Sequence, residues 1–213
     1  MDFALLAGLT EDDRRALLAT AVRRRFARHE VIFHESDLGD TFHLVAKGRV
    51  AVRVATPAGD VATLTVLGVG DGFGEQAILD PESRRSATVA ALEPTETLTL
   101  TKGAFDDLRT RHATVANALV AHLAQRVLVL STQLVEALYD SADKRVLRRV
   151  LDLDVVYDGA AIALTQEQVA TMAGTARPTA NRVLQAAADD GLLALTRGHI
   201  EVLDRDALTR RAR

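Results

Sequence analysis

The 213-residue chain contains no cysteine. That excludes disulfides, thiolate-held iron–sulfur clusters and cysteine-ligated zinc, and it fits a reducing cytoplasm. There is no run of 18 or more apolar residues, and the first residues, MDFALLAGLTEDDRR, place no basic segment ahead of their apolar patch. No transmembrane span, signal peptide or membrane partner is therefore expected. Charge of one sign is lacking too: 26 Lys and Arg stand against 29 Asp and Glu, a net −3, so the bulk charge does not advertise nucleic-acid binding. The balance shifts only from −4 over residues 1–142 to +1 over 143–213. No internal repeat or low-complexity segment is visible. What is present, 48% hydrophobic and 26% charged residues, is ordinary for a globular chain of one large domain or two small ones with ample core.

Three textures follow one another. After a short helix around Glu11–Ala21, residues from about 26 to 101 alternate apolar and polar at period two. Strand runs at Phe42–Val45, Val50–Val54 and Ala62–Leu67 are punctuated by Lys47-Gly48, Pro57-Ala58-Gly59 and the glycines near 70, and two more strands break at Glu93-Pro94. Short strands at this spacing predict an antiparallel sandwich or barrel. From Ala113 to Tyr139 there is neither Gly nor Pro, and Ala116, Val120, Leu123, Val127, Leu130, Leu134 and Ala137 recur at steps of four and three. That spacing predicts a long helix with the apolar seam of a homodimer; a helix of about 27 residues runs roughly 40 Å, more than a small barrel can cover. Residues 143–213 are helix-rich and end on two apolar runs flanking Arg197-Gly198, a hairpin signal.

Two stretches carry chemistry. In GFGEQAILDPESRRSATV, residues 72–89, glycines permit close backbone approach to a ligand, and successive N–H groups can cradle an anion. An arginine such as Arg84 or Arg85 can fork onto phosphate oxygens, whereas Glu75 accepts from hydroxyls. One acid and one base across a turn suit a ligand with both sugar hydroxyls and a phosphate; an ordinary loop with a surface ion pair is the alternative. In LTQEQVATMAGTARPTANRVL, Thr165 and Gln168 form a capping-box pattern, Gly174 ends the helix, and a second helix begins at Thr175 or Ala176 with Pro178 in its first turn. With Val183, Leu184 and Ala187 inward, Arg177, Asn181 and Arg182 face out. Two short helices and a following hairpin make a winged helix-turn-helix, whose second helix enters a DNA major groove.

In this order and separation the two motifs, with EVIFHESDLGDTFHLVAKGRVAV and the long helix, resemble the cyclic-AMP receptor protein (Crp–Fnr) family of bacterial transcription regulators over nearly the full length. The resemblance implies an α+β chain: an N-terminal antiparallel jelly-roll β-barrel of the cyclic-nucleotide-binding kind (1–111), a dimerisation helix (112–140) and a winged helix-turn-helix (141–213). It implies a homodimeric, cytoplasmic, non-enzymatic regulator whose effector is a cyclic nucleotide, cyclic AMP first and cyclic GMP second, with no metal. Its partners would be a near-palindromic double-stranded operator, a second copy of itself and RNA polymerase. The implied ligand set is Phe73, Gly74, Glu75, Gln76, Arg84, Arg85, Ser86 and Ala87, Glu75 taking the ribose 2′-hydroxyl and Arg85 with Ser86 the cyclic phosphate. The implied DNA set is Thr165, Gln166, Arg177, Pro178, Thr179, Asn181 and Arg182. An effector-independent member, or a nucleotide sensor without sequence-specific DNA binding, is the alternative.

Two departures stand out. The family's adenine-contacting Thr-Ser pair falls at Leu130 and Ser131, and leucine cannot hydrogen-bond a base edge, which leaves guanine or another nucleotide open. The family's frequent Ser-Arg-Glu-Thr is here Ala176-Arg177-Pro178-Thr179, which removes a carboxylate acceptor for cytosine. His29, His34, Glu35 and His43 lack the H-x-H pair that a metal-binding barrel of the cupin kind needs, so no metal site is expected.

Overall fold

The structure, a computed structural model, describes every residue except 1, 2, 4, 5, 7, 57, 58, 80, 81 and 83. The turn expected at Pro57-Ala58 therefore lies largely outside the described residues. The contacts divide the chain into two units, residues 1–54 with 67–129 and residues 55–66 with 130–213.

In the first unit, α1 (Glu11–Thr20) is capped by Thr10, whose hydroxyl accepts from the Asp13 amide. Eight strands follow along the chain, all within this unit except the last residue of β4 and residues 61–66 of β5: β1 (Val22–Phe26), β2 (Val31–Phe33), β3 (Thr41–Lys47), β4 (Val50–Ala55), β5 (Val61–Leu67), β6 (Gly72–Phe73), β7 (Thr88–Ala91) and β8 (Thr95–Thr101). They form two four-stranded sheets, ordered β1-β8-β3-β6 and β2-β7-β4-β5. The described registers are antiparallel. The expected jelly-roll architecture is present; the expected strands Phe42–Val45, Val50–Val54 and Ala62–Leu67 appear as β3, β4 and β5, longer by three, one and one residues.

Period two explains the layering. On β3, Phe42, Leu44 and Ala46 pack with Leu100 of β8 against helices α1, α2 (Gln76–Leu79), α3 (Lys102–Arg111) and the start of α4 (Ala113–Tyr139). Val45, on the opposite face of β3, joins Val50, Leu67, Phe73 and Val89 in a second core. On that face the interior also holds polar groups. His43 stacks on Phe73 with ring centroids 4.9 Å apart, and its Nδ1 lies 3.1 Å from Thr97 Oγ1 and 3.3 Å from Thr99 Oγ1. Burial, with Arg85 and Arg24 nearby, pushes the His43 pKa down to about 3, so the ring is neutral near pH 7.

Helix α4 has the bounds the sequence predicts. Val115, Ala118 and Leu119 are buried against the β-structure, and Leu123 packs on the same core. Val120, Val127, Leu130 and Leu134 are between 59% and 65% exposed. Part of the expected seam, Leu123, thus serves its own domain, while five of its members, these four and Ala137, stay uncovered. By length and composition alone α4 could also cross a bilayer, as could the core helix of many a soluble protein.

In the second unit, α5 (Ala142–Val156), α6 (Gln166–Met172) and α7 (Arg177–Asp189) pack on one another and precede a two-stranded sheet of β9 (Leu193–Thr196) and β10 (His199–Val202), then α8 (Arg205–Arg211). The capping box forms: Thr165 Oγ1 accepts from the Gln168 amide, and the Gln168 side chain accepts from the Thr165 amide. Ala176 caps α7 without a side-chain bond, and Pro178 sits in the first turn, where a missing N–H costs nothing. Ala180, Val183, Leu184 and Ala187 are buried.

Candidate functional site

The first site is a cleft at the junction of β6, α2 and the segment entering β7. Its lining includes Phe33, Val52, Phe73, Gly74, Glu75, Gln76, Arg84, Arg85, Ser86, Ala87, Val89 and Arg126. Arg85 is buried with its guanidinium 4.0 Å over the Phe33 ring. Its Nη1 donates to the Thr41 carbonyl at 2.9 Å and its Nη2 to Thr41 Oγ1 at 2.9 Å. Its Nε is buried without a hydrogen-bond partner. Two glycines make this path possible. A Cβ on Gly39 would lie 2.5 Å from Arg85 Nε, and one on Gly74 would lie 2.7 Å from Nη1. Gly74 also has φ +85°, a conformation disfavoured for any side chain.

Burial is the largest influence on Arg85 and lowers its pKa, opposed by Asp40, Asp37 and Glu75; an arginine nonetheless stays cationic. A desolvated guanidinium with an orphan N–H suits a small anion able to accept a fork. Glu75 sits across the turn, its Oε1 4.0 Å from Arg126 Nε. Behind it, Asp71 accepts from the Gly68 amide at 2.8 Å, and burial raises its pKa. Arg84 is exposed and donates to the Ser36 carbonyl at 2.8 Å, so the two neighbouring arginines have different roles: Arg85 inward, Arg84 on the rim.

The second site is the exposed side of α7 with its surroundings. Thr165, Gln166, Glu167 and Arg177 line a groove of about 320 Å³ with Thr196–His199 of the hairpin. Arg177, Pro178, Asn181 and Arg182 are exposed and Thr179 is half-buried. Arg182 pairs with Asp143 at 2.6 Å, Arg177 approaches Glu167 at 3.7 Å, and Asn181 donates to Gln166.

A family model for the cyclic nucleotide-binding domain matches residues 23–112, and one for the Crp-like helix-turn-helix domain matches residues 144–211. The Cyclic AMP receptor protein of Thermus thermophilus is 35% identical over 198 residues, 93% of this chain and 91% of its own. The chain belongs to the Crp–Fnr family. It is a DNA-binding transcription regulator with a nucleotide-effector domain. The CRP-like cAMP-activated global transcriptional regulator of Mycobacterium tuberculosis is 28% identical over 195 residues, 88% of this chain and 87% of its own. The solved Thermus thermophilus Catabolite Activator Protein matches with 34% identity and a TM-score of 0.59, covering 98% of each chain. In fold alone, the c-di-GMP responsive regulator CLP of Xanthomonas campestris matches with a TM-score of 0.77 at 19% identity, over 92% of this chain and all of its own.

Within this family frame, eight of the residues expected to hold the nucleotide, Phe73–Gln76 and Arg84–Ala87, come together at one cleft. Leu130 and Ser131 are exposed on α4. Sequence reasoning missed Phe33, Val52, Val89 and Arg126. Arg126 had a signal: it lies on the helix face of Leu119 and His122, a charge within a core-facing stripe. Phe33 had none, since its role depends on β2 lying beside β7.

Proposed function

We propose that the cleft binds a cyclic nucleotide, cyclic AMP or cyclic GMP, and that the bound effector biases how a homodimer presents two copies of α7 to a near-palindromic operator. The buried Arg85 with its unpartnered Nε carries the ligand half of this reading: it awaits an acceptor that no described carboxylate within 4 Å supplies. Arg85 with Ser86 would take the cyclic phosphate and Glu75 the ribose hydroxyl. Arg126, reaching toward Glu75 from α4, would link ligand occupancy to the long helix. The cleft is open and offers about 70 Å³, far below the roughly 300 Å³ at which small-molecule pockets begin, so the nucleotide would extend out of it toward solvent.

On the DNA side, Arg182 would contact a guanine bidentately, and Arg177 and Thr179 the backbone. Arg177 and Arg182 lie about 140° apart around α7, which rules out identical roles. The exposed apolar face of α4 supports a dimer, and the family relationship supports a cytoplasmic regulator that engages RNA polymerase. Calorimetry of the pure protein against cyclic AMP and cyclic GMP tests the ligand half. No heat from either at millimolar concentration would overturn it and leave DNA binding untouched.

A further inference from the structure

Three outward polar side chains of α7, Arg177, Asn181 and Arg182, are already engaged in this reading head. Arg182 meets Asp143 through both terminal nitrogens, Nη2 to Oδ1 at 2.6 Å and Nη1 to Oδ2 at 3.3 Å. Asp143 comes from another helix. It lies in the first turn of α5, behind the N-cap Ser141, where the helix dipole favours a carboxylate. Glu167 makes only a looser, single approach to Arg177, at 3.7 Å. Asp143 is therefore the acid placed to govern a reading arginine.

Both side chains of the pair are half or more exposed, 61% for Arg182 and 50% for Asp143, so the pair contributes little to folding. Its consequence comes when DNA approaches. The guanidinium has five N–H donors, and an end-on fork onto Asp143 uses two of them. The Nε–H edge remains, with the geometry to fork onto guanine O6 and N7 while the carboxylate stays in place. Transfer of Arg182 to a phosphate has a different cost. The arginine must leave Asp143, and a bare carboxylate then faces the phosphate backbone as water is expelled and the effective dielectric falls. The acid is tolerated in a base-reading complex and penalised in a phosphate-only one.

We infer that Asp143 is a specificity-determining positioning residue: it holds Arg182 toward a base edge and suppresses its capture by phosphate on non-specific DNA. This rests on the reading that α7 enters the major groove with Arg182 on a base. It accounts for an acid at the reading face of a DNA-binding domain whose charge balance is only +1 over residues 143–213.

The test uses full-length wild type, Asp143→Asn, Asp143→Glu, Arg182→Ala and the Asp143→Asn/Arg182→Ala double variant. Each is titrated across a salt series on a site selected from random DNA, on that site with the Arg182-read guanine replaced, and on an unrelated duplex. Asp143→Asn should bind the unrelated duplex about three- to tenfold more tightly. The slope of log K against log salt should steepen by about one per reading head. Preference for the guanine should fall about tenfold, as expected when one bidentate contact loses its orientation. In the Arg182→Ala background, Asp143→Asn should leave base preference unchanged, and Asp143→Glu, which keeps the charge, should retain the wild-type salt slope. Unchanged affinity, slope and preference in Asp143→Asn would overturn the inference. So would uniformly weaker binding with preference intact, which makes Asp143 merely structural. Wild type that binds no duplex even at low salt would remove the DNA reading itself, a result distinct from failure of the Asp143 variant alone.

Discussion

Arg85 carries more of the ligand chemistry than any other residue, because it is a buried cation whose hydrogen bonds go to neutral groups. Thr41 supplies a carbonyl and a hydroxyl, Phe33 a ring face, and Nε is left unpaired. Hydrogen bonds to charged groups contribute about 1.5–3 kcal/mol each. Arg85→Leu should therefore weaken cyclic-nucleotide binding at least tenfold by calorimetry, with the far-ultraviolet dichroism of the folded chain retained. Arg85→Lys keeps the charge but not the fork, and should recover only part of the loss. Equal affinity for wild type and Arg85→Leu would assign the phosphate to another group. Arg85 and Glu75 were legible in the sequence because the motif that positions them is contiguous. Gly39 and Thr41, which make room for the guanidinium and bond it, were not, because only the fold brings the loop before β3 and the first residue of β3 to it.

At the scale of elements, α4 and the capping box of α6 were legible because each depends on local spacing: a gap in Gly and Pro in one, a Thr-to-Gln interval in the other. The strands were legible as period-two runs, but their partners were not. That β8 lies between β1 and β3 is a long-range fact that local alternation does not encode. The same pairing sets Thr97 and Thr99 against His43 and gives the barrel a pH dependence. The pKa of His43 is about 3 in the folded state against an ordinary 6.5. Between those values the unfolded chain binds a proton that the folded chain refuses, so stability is full above about pH 6.5 and is lost as pH falls toward 3. Each pH unit in that window costs about 1.36 kcal/mol. Urea unfolding at pH 7 and pH 5 should show a loss for which His43 accounts for up to about 2 kcal/mol. His43→Gln should be less stable at pH 7 yet lose correspondingly less between the two. An equal loss in both proteins would place the titrating group elsewhere.

For the whole molecule, the proposed regulation needs two reading heads held at a fixed spacing, and α4 is the element that offers the means. Val120, Val127, Leu130 and Leu134 recur along it and are exposed, whereas Leu123 is committed to the core beneath. Fully burying such a side chain contributes about 1.5–3 kcal/mol, and a two-fold axis counts each residue twice. Val127 is the residue to change, since a substitution at Leu123 would also damage its own domain. Val127→Glu places two carboxylates in apolar contact across the axis, a cost of several kcal/mol for each buried charge. Sedimentation at micromolar concentration should show a wild-type dimer and a Val127→Glu monomer. The same change should act on DNA without touching α7. Once one head is bound, the second binds at an effective local concentration set by the tether, so its loss should weaken binding to a two-half-site operator by about 10²-fold or more. Binding to a single half-site should be unchanged. A wild-type monomer would remove the seam, and a Val127→Glu dimer would place it on another face. A monomer that kept full operator affinity would break the link between the long helix and the two reading heads.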